Sequence, residues 1–377
     1  MKIVFFGLSI TSSWGNGHAT TYRALIQALH ARGHDVVFFE ENTEWYESNR
    51  DLPHPEFCRV VILNGWRNAR STIDRELQDC DVAVLGSYFP DGVAVLDHIL
   101  NSHAPVRAFY DIDTPITLSE LRRAGETPYL RANQICELDV YFSFTGGPVL
   151  RELEEKFGAR LARPLYCSFD PTQYRRNPGK RYACELSYMG TYAPDRQPKI
   201  EELLIKPAQR MPDRSFIVAG PQYPKAIRWP KNVRRVQHLN PRWHPQLYSS
   251  SRFTLNVTRR EMVRSGYSPS VRLFEAAACG ATIISDYWPG LEEFFVPSKE
   301  ILLAAKTEEA ERYLSAMSES EIREIGNAAQ ARVLGRHTSE QRSREFEAAI
   351  EEAVSAGSKR IEAATQTRAD TSLPPGI

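Results

Sequence analysis

Apolar runs of strand length alternate along this chain with amphipathic stretches of helical period, and this alternation constrains the fold most. Buried strands that alternate with helices are typical of parallel sheets covered on both faces. The first series of runs covers residues 2–8, 35–40, 59–63, 81–86, 106–112, 140–145 and 162–167. The second series covers residues 186–190, 215–220, 234–239, 253–257, 282–286 and 300–304. Two series predict two sheets.

Turn-forming residues from Asp170 to Gly179 interrupt the pattern and are interpreted as a linker. A chain of 377 residues is also long for one core and suits two domains. The predicted fold class is therefore α/β, with two doubly wound, Rossmann-like domains facing each other across a cleft. The predicted segments are a first domain at 1–168, a second domain at 180–340, a helix at 341–364 and a disordered tail at 365–377.

Composition excludes several classes of protein. The 47 basic and 47 acidic side chains cancel, so nothing global favours nucleic acid or a membrane surface as a partner. The six cysteines form no CxxC pair and have no metal-like histidine spacing beside them, which favours reduced thiols. The first residues are interpreted as a strand rather than a signal peptide, and no run of about 18 apolar residues is present. We expect a soluble, cytoplasmic protein.

Basic residues are concentrated in one segment of the second predicted domain. Between Lys206 and Arg272 the sequence has fourteen Lys or Arg but only two acids, Asp213 and Glu261. One interpretation is a solvated surface balanced by the acidic segment that follows. The other is a positive field over a diphosphate site.

The most informative motif occupies residues 266–293 and is predicted to form a loop, a short helix, a buried strand and a second loop. This arrangement presents a helix N-terminus to an anionic ligand. Ser268 and Ser270 precede the helix, where hydroxyl and backbone N–H groups can meet phosphate oxygens, and Arg272 lies in its first turn. Glu275 follows one turn later on roughly the same face, placed for sugar hydroxyls.

Other loops of the second domain add candidates for the same ligand. Glycines after the predicted strands permit close approach of the backbone to a diphosphate. Polar side chains flank the strand ends, the edge at which open α/β sheets place their sites. The candidates in these loops are Gly190, Thr191, Arg196, Gly220, His238, Asn256 and Gly290. Alternatively, Arg196 is an ordinary exposed arginine at a helix start and His238 is a structural histidine.

The loop after the first strand is glycine-rich and precedes a helix that is predicted to run to Gly33. Its small residues allow a tight, exposed turn at the cleft, and they are Gly15, Asn16 and Gly17. His18 is expected at or near the helix N-terminus, where the helix dipole favours a neutral imidazole that can accept a proton. Alternatively, His18 caps the helix or packs on Trp14. Thr20 stands where a Rossmann dinucleotide fingerprint has its third glycine.

Two aspartates end another predicted strand of the first domain. Asp111 and Asp113 lie at its C-terminal edge, where one of them is predicted to serve the site. The alternative is that they cap the turn before Pro115. Thr145 and Gly146 close the next strand and are expected to line the cleft, or to form an ordinary turn.

Five segments of the chain together resemble a known family. They are Tyr110-Asp-Ile-Asp-Thr-Pro115, Ser143-Phe-Thr-Gly-Gly147, Tyr188-Met-Gly-Thr-Tyr192, Val218-Ala-Gly-Pro221 and the run 266–293. They resemble the CgeB-like, spore-protein-related glycosyltransferases of the GT-B superfamily, over about residues 1–305. One position departs from many retaining GT-B enzymes, which carry a Glu eight residues before the one matched by Glu275. Here that residue is Tyr267.

The resemblance implies roles for several of these residues. Glu275 would hold the ribose of a nucleotide sugar, Arg196 would bind its phosphates, and the loop at Gly290 would face the sugar. The strand end at His238 would contact the nucleobase through backbone atoms. His18 would be the general base of an inverting enzyme, oriented by Asp111 or Asp113. The last helix would cross back onto the first domain.

We therefore predict a glycosyltransferase that moves a sugar from a UDP-, TDP- or GDP-sugar to an acceptor that the sequence does not identify. No cofactor or metal is expected, because no DxD-type carboxylate cluster stands beside the donor motif, and arginines with helix dipoles can neutralise a diphosphate. The alternatives are a nucleotide-sugar epimerase or hydrolase on the same fold, and a non-catalytic sugar-nucleotide-binding or spore-envelope protein.

Overall fold

The computed structural model describes the backbone of residues 1–370 and the side chains of residues 1–359. The first half of the chain supplies nine strands. They are β1 (Lys2–Phe6), β2 (Asp35–Glu41), β3 (Arg59–Leu63), β4 (Val82–Gly86), β5 (Val106–Asp111), β6 (Glu126–Thr127), β7 (Leu130–Arg131), β8 (Val140–Ser143) and β9 (Ala162–Pro164). Seven form one parallel sheet in the order β3-β2-β1-β4-β5-β8-β9, and β6 pairs with β7 as a small antiparallel hairpin.

Helices cover both faces of this first sheet. They are α1 (Gly17–Ala31), α2 (Glu44–Glu47), α3 (Arg70–Gln78), α4 (Gly92–Leu100), α5 (Thr114–Ala124) and α6 (Pro148–Glu155). Successive side chains of a strand point to opposite faces, so β1 sends Val4 and Phe6 into one apolar cluster and Ile3 and Phe5 into the other. A strand buried on both faces needs a continuous apolar run, which is the pattern in the sequence.

The second sheet is also parallel and has the order β12-β11-β10-β13-β14-β15. Its strands are β10 (Cys184–Met189), β11 (Phe216–Ala219), β12 (Val233–Val236), β13 (Ser251–Asn256), β14 (Thr282–Ser285) and β15 (Leu302–Leu303). The helices of this half are α7 (Gln197–Ile200), α8 (Lys206–Arg210), α9 (His244–Ser250), α10 (Arg260–Ser265), α11 (Val271–Ala278), α12 (Thr307–Ala316) and α13 (Glu319–Arg336). A π-helical turn, Glu201–Ile205, joins α7 to α8.

The last helix, α14 (Ser339–Asp370), returns to the first domain, as expected. Phe346 is fully buried in the first-domain core, with its ring 5.0 Å from that of Phe142. Glu347 forms an ion pair with Arg32 of the first domain at 2.6 Å. The helix ends at Asp370, six residues into the segment 365–377 that was predicted to be a disordered tail. The rest of that tail, 371–377, lies outside the described residues.

Two parallel, Rossmann-like sheets confirm the predicted fold class, and each predicted apolar run corresponds to a strand. The hairpin β6–β7 was not predicted, because its two-residue strands are too short to show a period. Within residues 1–370 no helix combines the length and apolar character that crossing a bilayer requires.

Candidate active site

A cavity of about 290 Å³ lies between the two domains, at the carboxyl ends of the strands of both sheets. The first domain lines it with the loop after β1 and the start of α1: Ser13, Gly15, Asn16, Gly17 and Thr20. The second domain lines it with the loops after β10, β11 and β12 and the starts of α9 and α11: Met189, Gly190, Thr191, Arg196, Ala219, Gly220, Pro221, His238, Leu239, Pro241, His244, Val271, Arg272 and Glu275.

The predicted site residues fall into two groups. The cavity brings together Gly15, Asn16, Gly17, Gly190, Thr191, Arg196, Gly220, His238, Arg272 and Glu275. The other predicted residues are not part of its lining: His18, Asp111, Asp113, Thr145, Gly146, Asn256, Ser268, Ser270 and Gly290. Their contacts show what each does instead.

Arg272 is fixed at the cavity wall by contacts on three sides. Its Nη1 donates to Oδ1 of Asn256 at 2.9 Å, and its Nε donates to the carbonyl of Met189. Its guanidinium lies 5.0 Å from the ring centroid of Tyr188. A Cβ at Gly190 would approach its Nη2 to 2.8 Å, so this close packing favours glycine there. The result is a rigid cation beside a bare stretch of backbone.

Asn256 supports this cation from behind. It is buried, and its Oδ1 also accepts a hydrogen bond from the hydroxyl of Ser270 at 2.8 Å. Its Nδ2 donates to the hydroxyl of Ser285 at 2.9 Å. Asn256 and Ser270 therefore act on the cavity through Arg272, a role that strand-end position alone did not reveal.

The loops after β10 and β11 pack backbone against backbone. A Cβ at Gly220, whose φ is +149°, would overlap the carbonyl of Gly190. Arg196 closes the first of these loops by donating from Nη2 to the carbonyl of Thr191 at 2.6 Å. Its Nε is buried and has no hydrogen-bond partner in the described part of the chain. An unpaired buried N–H is unfavourable, so an anion placed here would gain from pairing with this side chain.

Glu275 lies one turn beyond Arg272 on α11 and is almost fully buried. Its Oε2 accepts a hydrogen bond from the hydroxyl of Tyr248 at 3.1 Å. Burial raises the pKa of Glu275 to about 6, although the hydrogen bond from Tyr248 and the charge of Arg272 act in the opposite direction. The carboxylate is thus ionised at neutral pH and protonated in mild acid.

His244 completes this end of the cavity. Its Nε2 is 3.0 Å from the carbonyl of Leu239, so Nε2 carries the proton, and Nδ1 accepts from the hydroxyl of Tyr174 at 3.1 Å. Burial lowers the pKa of His244 to about 4, which keeps the ring neutral. His244, Tyr174 and Tyr248 were not predicted as site residues, because Tyr174 lies in the linker and none of the three belongs to a recognisable motif.

His238 closes the cavity at the β12 side by contact with the first domain. Its ring centroid is 4.3 Å from that of Trp14, which belongs to the loop after β1. Burial lowers the pKa of His238. Trp14 therefore contacts the second domain through His238, and it is His238 rather than His18 that packs on its ring.

His18 is the second residue of α1, as predicted, and its backbone N–H donates to Oδ1 of the N-cap residue Asn16 at 3.0 Å. Its Nε2 is 3.7 Å from Oδ2 of Asp113. Its ring centroid is 5.4 Å from that of Tyr88, whose φ is +66°. Nδ1 is buried without a hydrogen-bond partner among the described residues, so it is the ring nitrogen with a free lone pair when Nε2 carries the proton.

The two aspartates of the β5–α5 turn have different surroundings. Burial disfavours the charge of Asp113, but His18 and the positive charge of Arg259 outweigh it and hold the pKa of Asp113 below its usual value. Asp111 is fully buried, and its Oδ2 accepts from the hydroxyl of Tyr141 at 2.6 Å. Burial raises the pKa of Asp111 to about 6. Asp113, rather than Asp111, is the neighbour of His18.

The remaining predicted residues form contacts between the domains. The hydroxyls of Ser268 and Thr145 are 2.8 Å apart, and Ser268 also donates to the carbonyl of Gly266 at 2.7 Å. Gly146 and Gly290 both contact Tyr267. The hydroxyl of Ser268 therefore forms its hydrogen bonds within the protein, although its position before α11 suggested a contact with a ligand. Among residues 1–359 no group of three or more His, Cys, Asp or Glu is arranged to hold a metal ion.

Comparisons with known proteins agree with this architecture. Residues 196–348 match the family model described as glycosyl transferase-like. No curated protein sequence matches the chain. The structure is similar to sucrose-phosphate synthase from Thermosynechococcus elongatus, with a TM-score of 0.69, 14% identity and coverage of 94% of this chain and 100% of the other.

Two further solved structures are similar over nearly the whole chain. HepE from Anabaena in complex with UDP-glucose has a TM-score of 0.67 and 13% identity, and the match covers 94% of this chain and 100% of HepE. An alpha-glucosyltransferase in complex with UDP has a TM-score of 0.67 and 13% identity, with coverage of 93% and 99%. The fold is therefore that of the GT-B glycosyltransferases.

Proposed function

We propose that this protein transfers a sugar from a nucleoside-diphosphate sugar to an acceptor hydroxyl. The observation that carries the proposal is the pairing of Arg272 and Glu275 on one face of α11, both lining a cavity at the carboxyl ends of two parallel sheets. A fixed cation beside Gly190 suits a diphosphate, and a buried carboxylate suits the hydroxyls of a ribose. The match of residues 196–348 to the glycosyl transferase-like family supports transfer as the reaction.

The donor is proposed to be a UDP-, TDP- or GDP-sugar held by the second domain. Two structural neighbours were solved with UDP-glucose or UDP, which makes UDP-sugars the first to test. The five sequence segments that resemble the CgeB-like glycosyltransferases support that narrower assignment. The acceptor is assigned to the first domain, on the side of His18.

For the chemistry, we propose direct displacement with inversion. His18 takes the proton of the acceptor hydroxyl, while Asp113, whose Oδ2 is 3.7 Å from Nε2 of His18, stabilises the imidazolium. The acceptor oxygen forms a bond to the anomeric carbon, and the bond from that carbon to the diphosphate breaks with its electron pair on the leaving oxygen. Arg196 and Arg272 neutralise that charge, so no divalent metal is assigned a role.

Calorimetry combined with label transfer tests this proposal. UDP-, TDP- and GDP-sugars are titrated against the wild type, and labelled donor is then followed into added acceptors. Arg272→Ala is expected to weaken binding of the sugar diphosphate more than binding of the free nucleoside. Arg264→Ala, an exposed arginine two residues before the 266–293 motif, is the matched control.

Three outcomes would contradict the proposal. Equal losses for nucleoside and sugar diphosphate would mean that Arg272 supports the fold instead. Release of free sugar regardless of acceptor would indicate a hydrolase. His18→Ala is expected to slow transfer by roughly 10²–10⁴-fold with donor affinity nearly intact, and full activity of that variant with a retained anomeric configuration would exclude the proposed base.

A further inference from the structure

Tyr267 has a conformation that its residue type rarely adopts. Its φ is +48°, in the left-handed region, and such backbone strain persists only where the surroundings enforce it. It also stands eight residues before Glu275, where many retaining GT-B enzymes carry a glutamate. The contacts of its side chain and backbone show what enforces this conformation.

The ring of Tyr267 fills a slot between two glycines, one from each domain. Gly147 of the first domain has a φ of +62°, and a methyl group there would overlap the Cδ2 side of the ring. Gly290 of the second domain has a φ of +83°, and a Cβ there would lie 2.5 Å from Cδ1. Any larger side chain at either position would displace the ring.

The backbone of Tyr267 joins the same two segments. Its carbonyl accepts a hydrogen bond from the N–H of Gly146 at 3.0 Å, and its own N–H donates to the carbonyl of Pro289 at 2.7 Å. The hydroxyls of Thr145 and Ser268 add a contact of 2.8 Å. We name these three segments, residues 145–147, 266–268 and 289–290, the Tyr267 clasp.

A short series of contacts leads from the clasp to the proposed base. The hydroxyl of Ser143 lies 2.7 Å from the carbonyl of Thr145 and 2.8 Å from the hydroxyl of Thr114. Thr114 follows Asp113, whose Oδ2 is 3.7 Å from Nε2 of His18. A shift of residues 145–147 would therefore change the positions of Asp113 and His18 through only a few contacts.

On its other side the clasp leads directly into the donor-binding face. Ser270 follows three residues later and donates to Oδ1 of Asn256, which also accepts from Arg272. The preceding helix, α10, places Met262 in the apolar cluster of the first domain. Tyr267 thus lies between the elements that carry the base and the elements that would hold the donor.

We propose that Tyr267 is a positioning residue: its ring acts as a wedge that sets the distance between the donor site on the second domain and the His18–Asp113 pair on the first. This inference rests on the proposed function. The wedge requires the ring of Tyr267 but not its hydroxyl. Tyr267 should matter for turnover rather than for donor binding, because it does not line the cavity that would hold the donor.

Kinetics of four variants test the wedge. Tyr267→Ala is expected to lower kcat by about ten- to a hundredfold, because small misplacement of reacting groups is costly, while donor affinity stays close to that of the wild type. Gly147→Ala, on the other domain, should give the same pattern because its methyl group displaces the ring. Tyr267→Phe should retain activity. Leu334→Ala, at an exposed apolar residue of α13, is the matched control and should change nothing.

Failure of the wedge proposal can be distinguished from failure of the proposed function. If Tyr267→Phe loses as much turnover as Tyr267→Ala, or if donor affinity falls in parallel with kcat, the wedge is refuted. If the wild type transfers no sugar, the proposed function fails, and X-ray scattering still tests the wedge. Tyr267→Ala is then expected to differ from Tyr267→Phe in its radius of gyration, because the spacing of the domains changes, and equal radii would overturn the inference.

Discussion

Asp111 and Asp113 are two residues apart and yet serve the protein differently. The carboxylate of Asp111 accepts hydrogen bonds from Tyr141 and Thr117 inside the first domain. The carboxylate of Asp113 faces His18 across 3.7 Å. The two aspartates therefore differ in function because they contact different residues in the folded protein.

We predict that substitution of Asp111 mainly lowers stability, whereas substitution of Asp113 mainly lowers activity. Asp111→Ala leaves the buried hydroxyl of Tyr141 without its acceptor and should lower the free energy of unfolding by about 1–3 kcal/mol. Asp113→Ala should cost less than about 1 kcal/mol but reduce sugar transfer. Urea denaturation and an initial-rate assay measure the two effects. The reverse assignment of stability and activity would contradict this prediction.

Glu275 should make donor binding depend on pH. Its pKa is raised to about 6, so the carboxylate is progressively protonated as the pH falls through that value and loses charge-assisted hydrogen bonds to the ligand. Donor affinity of the wild type should fall up to about tenfold between pH 7 and pH 5. The contribution of Glu275 to folding stability has the opposite pH dependence. Because its pKa is raised in the native state, Glu275 favours the native state at low pH, and this contribution is lost as the pH rises through about 6.

Calorimetry across this pH range provides the measurement. Glu275→Ala should weaken binding by about 1.5–3 kcal/mol at neutral pH, through loss of a charge-assisted bond. Glu275→Gln has no charge to lose and should bind with little change over the same range. If the wild type and Glu275→Gln showed the same pH dependence, another group would be responsible.

At the scale of elements, α14 is the piece of chain that ties the end of the second domain to the first. Its apolar face enters the first-domain core through Phe346, Ala349, Ile350 and Ala353. Phe346 stacks on Phe142 and lies near Phe5, with ring centroids 5.0 Å and 6.1 Å away. The helix therefore belongs to the first core although it is last in the sequence.

Loss of this aromatic anchor should destabilise the first domain. Phe346→Ala removes a fully buried ring and is expected to lower the free energy of unfolding by about 3–5 kcal/mol. Val354→Ala changes an exposed residue of the same helix and should stay within about 0.5 kcal/mol of the wild type. Chemical denaturation monitored by circular dichroism compares the two. Similar losses for both variants would show that helix propensity, rather than docking, is responsible.

At the scale of the whole molecule, equal numbers of acidic and basic residues conceal an uneven distribution. The cavity receives Arg196 and Arg272 from the second domain, while its one carboxylate, Glu275, lies further along α11. We propose that these two cations hold the diphosphate without a metal.

We therefore predict that chelation leaves the protein active. UDP-glucose, or whichever donor binds, should raise the melting temperature equally with and without EDTA, by an amount set by the ligand concentration relative to Kd. Transfer of labelled sugar should also be unchanged by EDTA. Restoration of a lost thermal shift by Mg²⁺ or Mn²⁺ would show that the arginines are insufficient.

Local pattern predicted the fold and much of the cavity wall. Strand and helix periods, the glycines at 190 and 220, and the spacing of Arg272 and Glu275 on one helix turn all depend on residues a few positions apart. Side chains from the linker and from α9, such as Tyr174 and Tyr248, carried no such pattern. Their contacts with the Glu275 environment join residues far apart in the chain.

The sequence by itself determined the two α/β domains, the helix starts next to His18 and Arg272, and the edge of each sheet at which the cavity lies, because these follow from backbone period and strand direction. Only the tertiary structure decided that Asn256 supports Arg272, that Asp113 rather than Asp111 faces His18, and that Ser268 joins the domains. These contacts form only when the two sheets and α14 pack together and bring the polar atoms within reach of one another. The residues involved are far apart in the sequence, so no local pattern predicts that they meet.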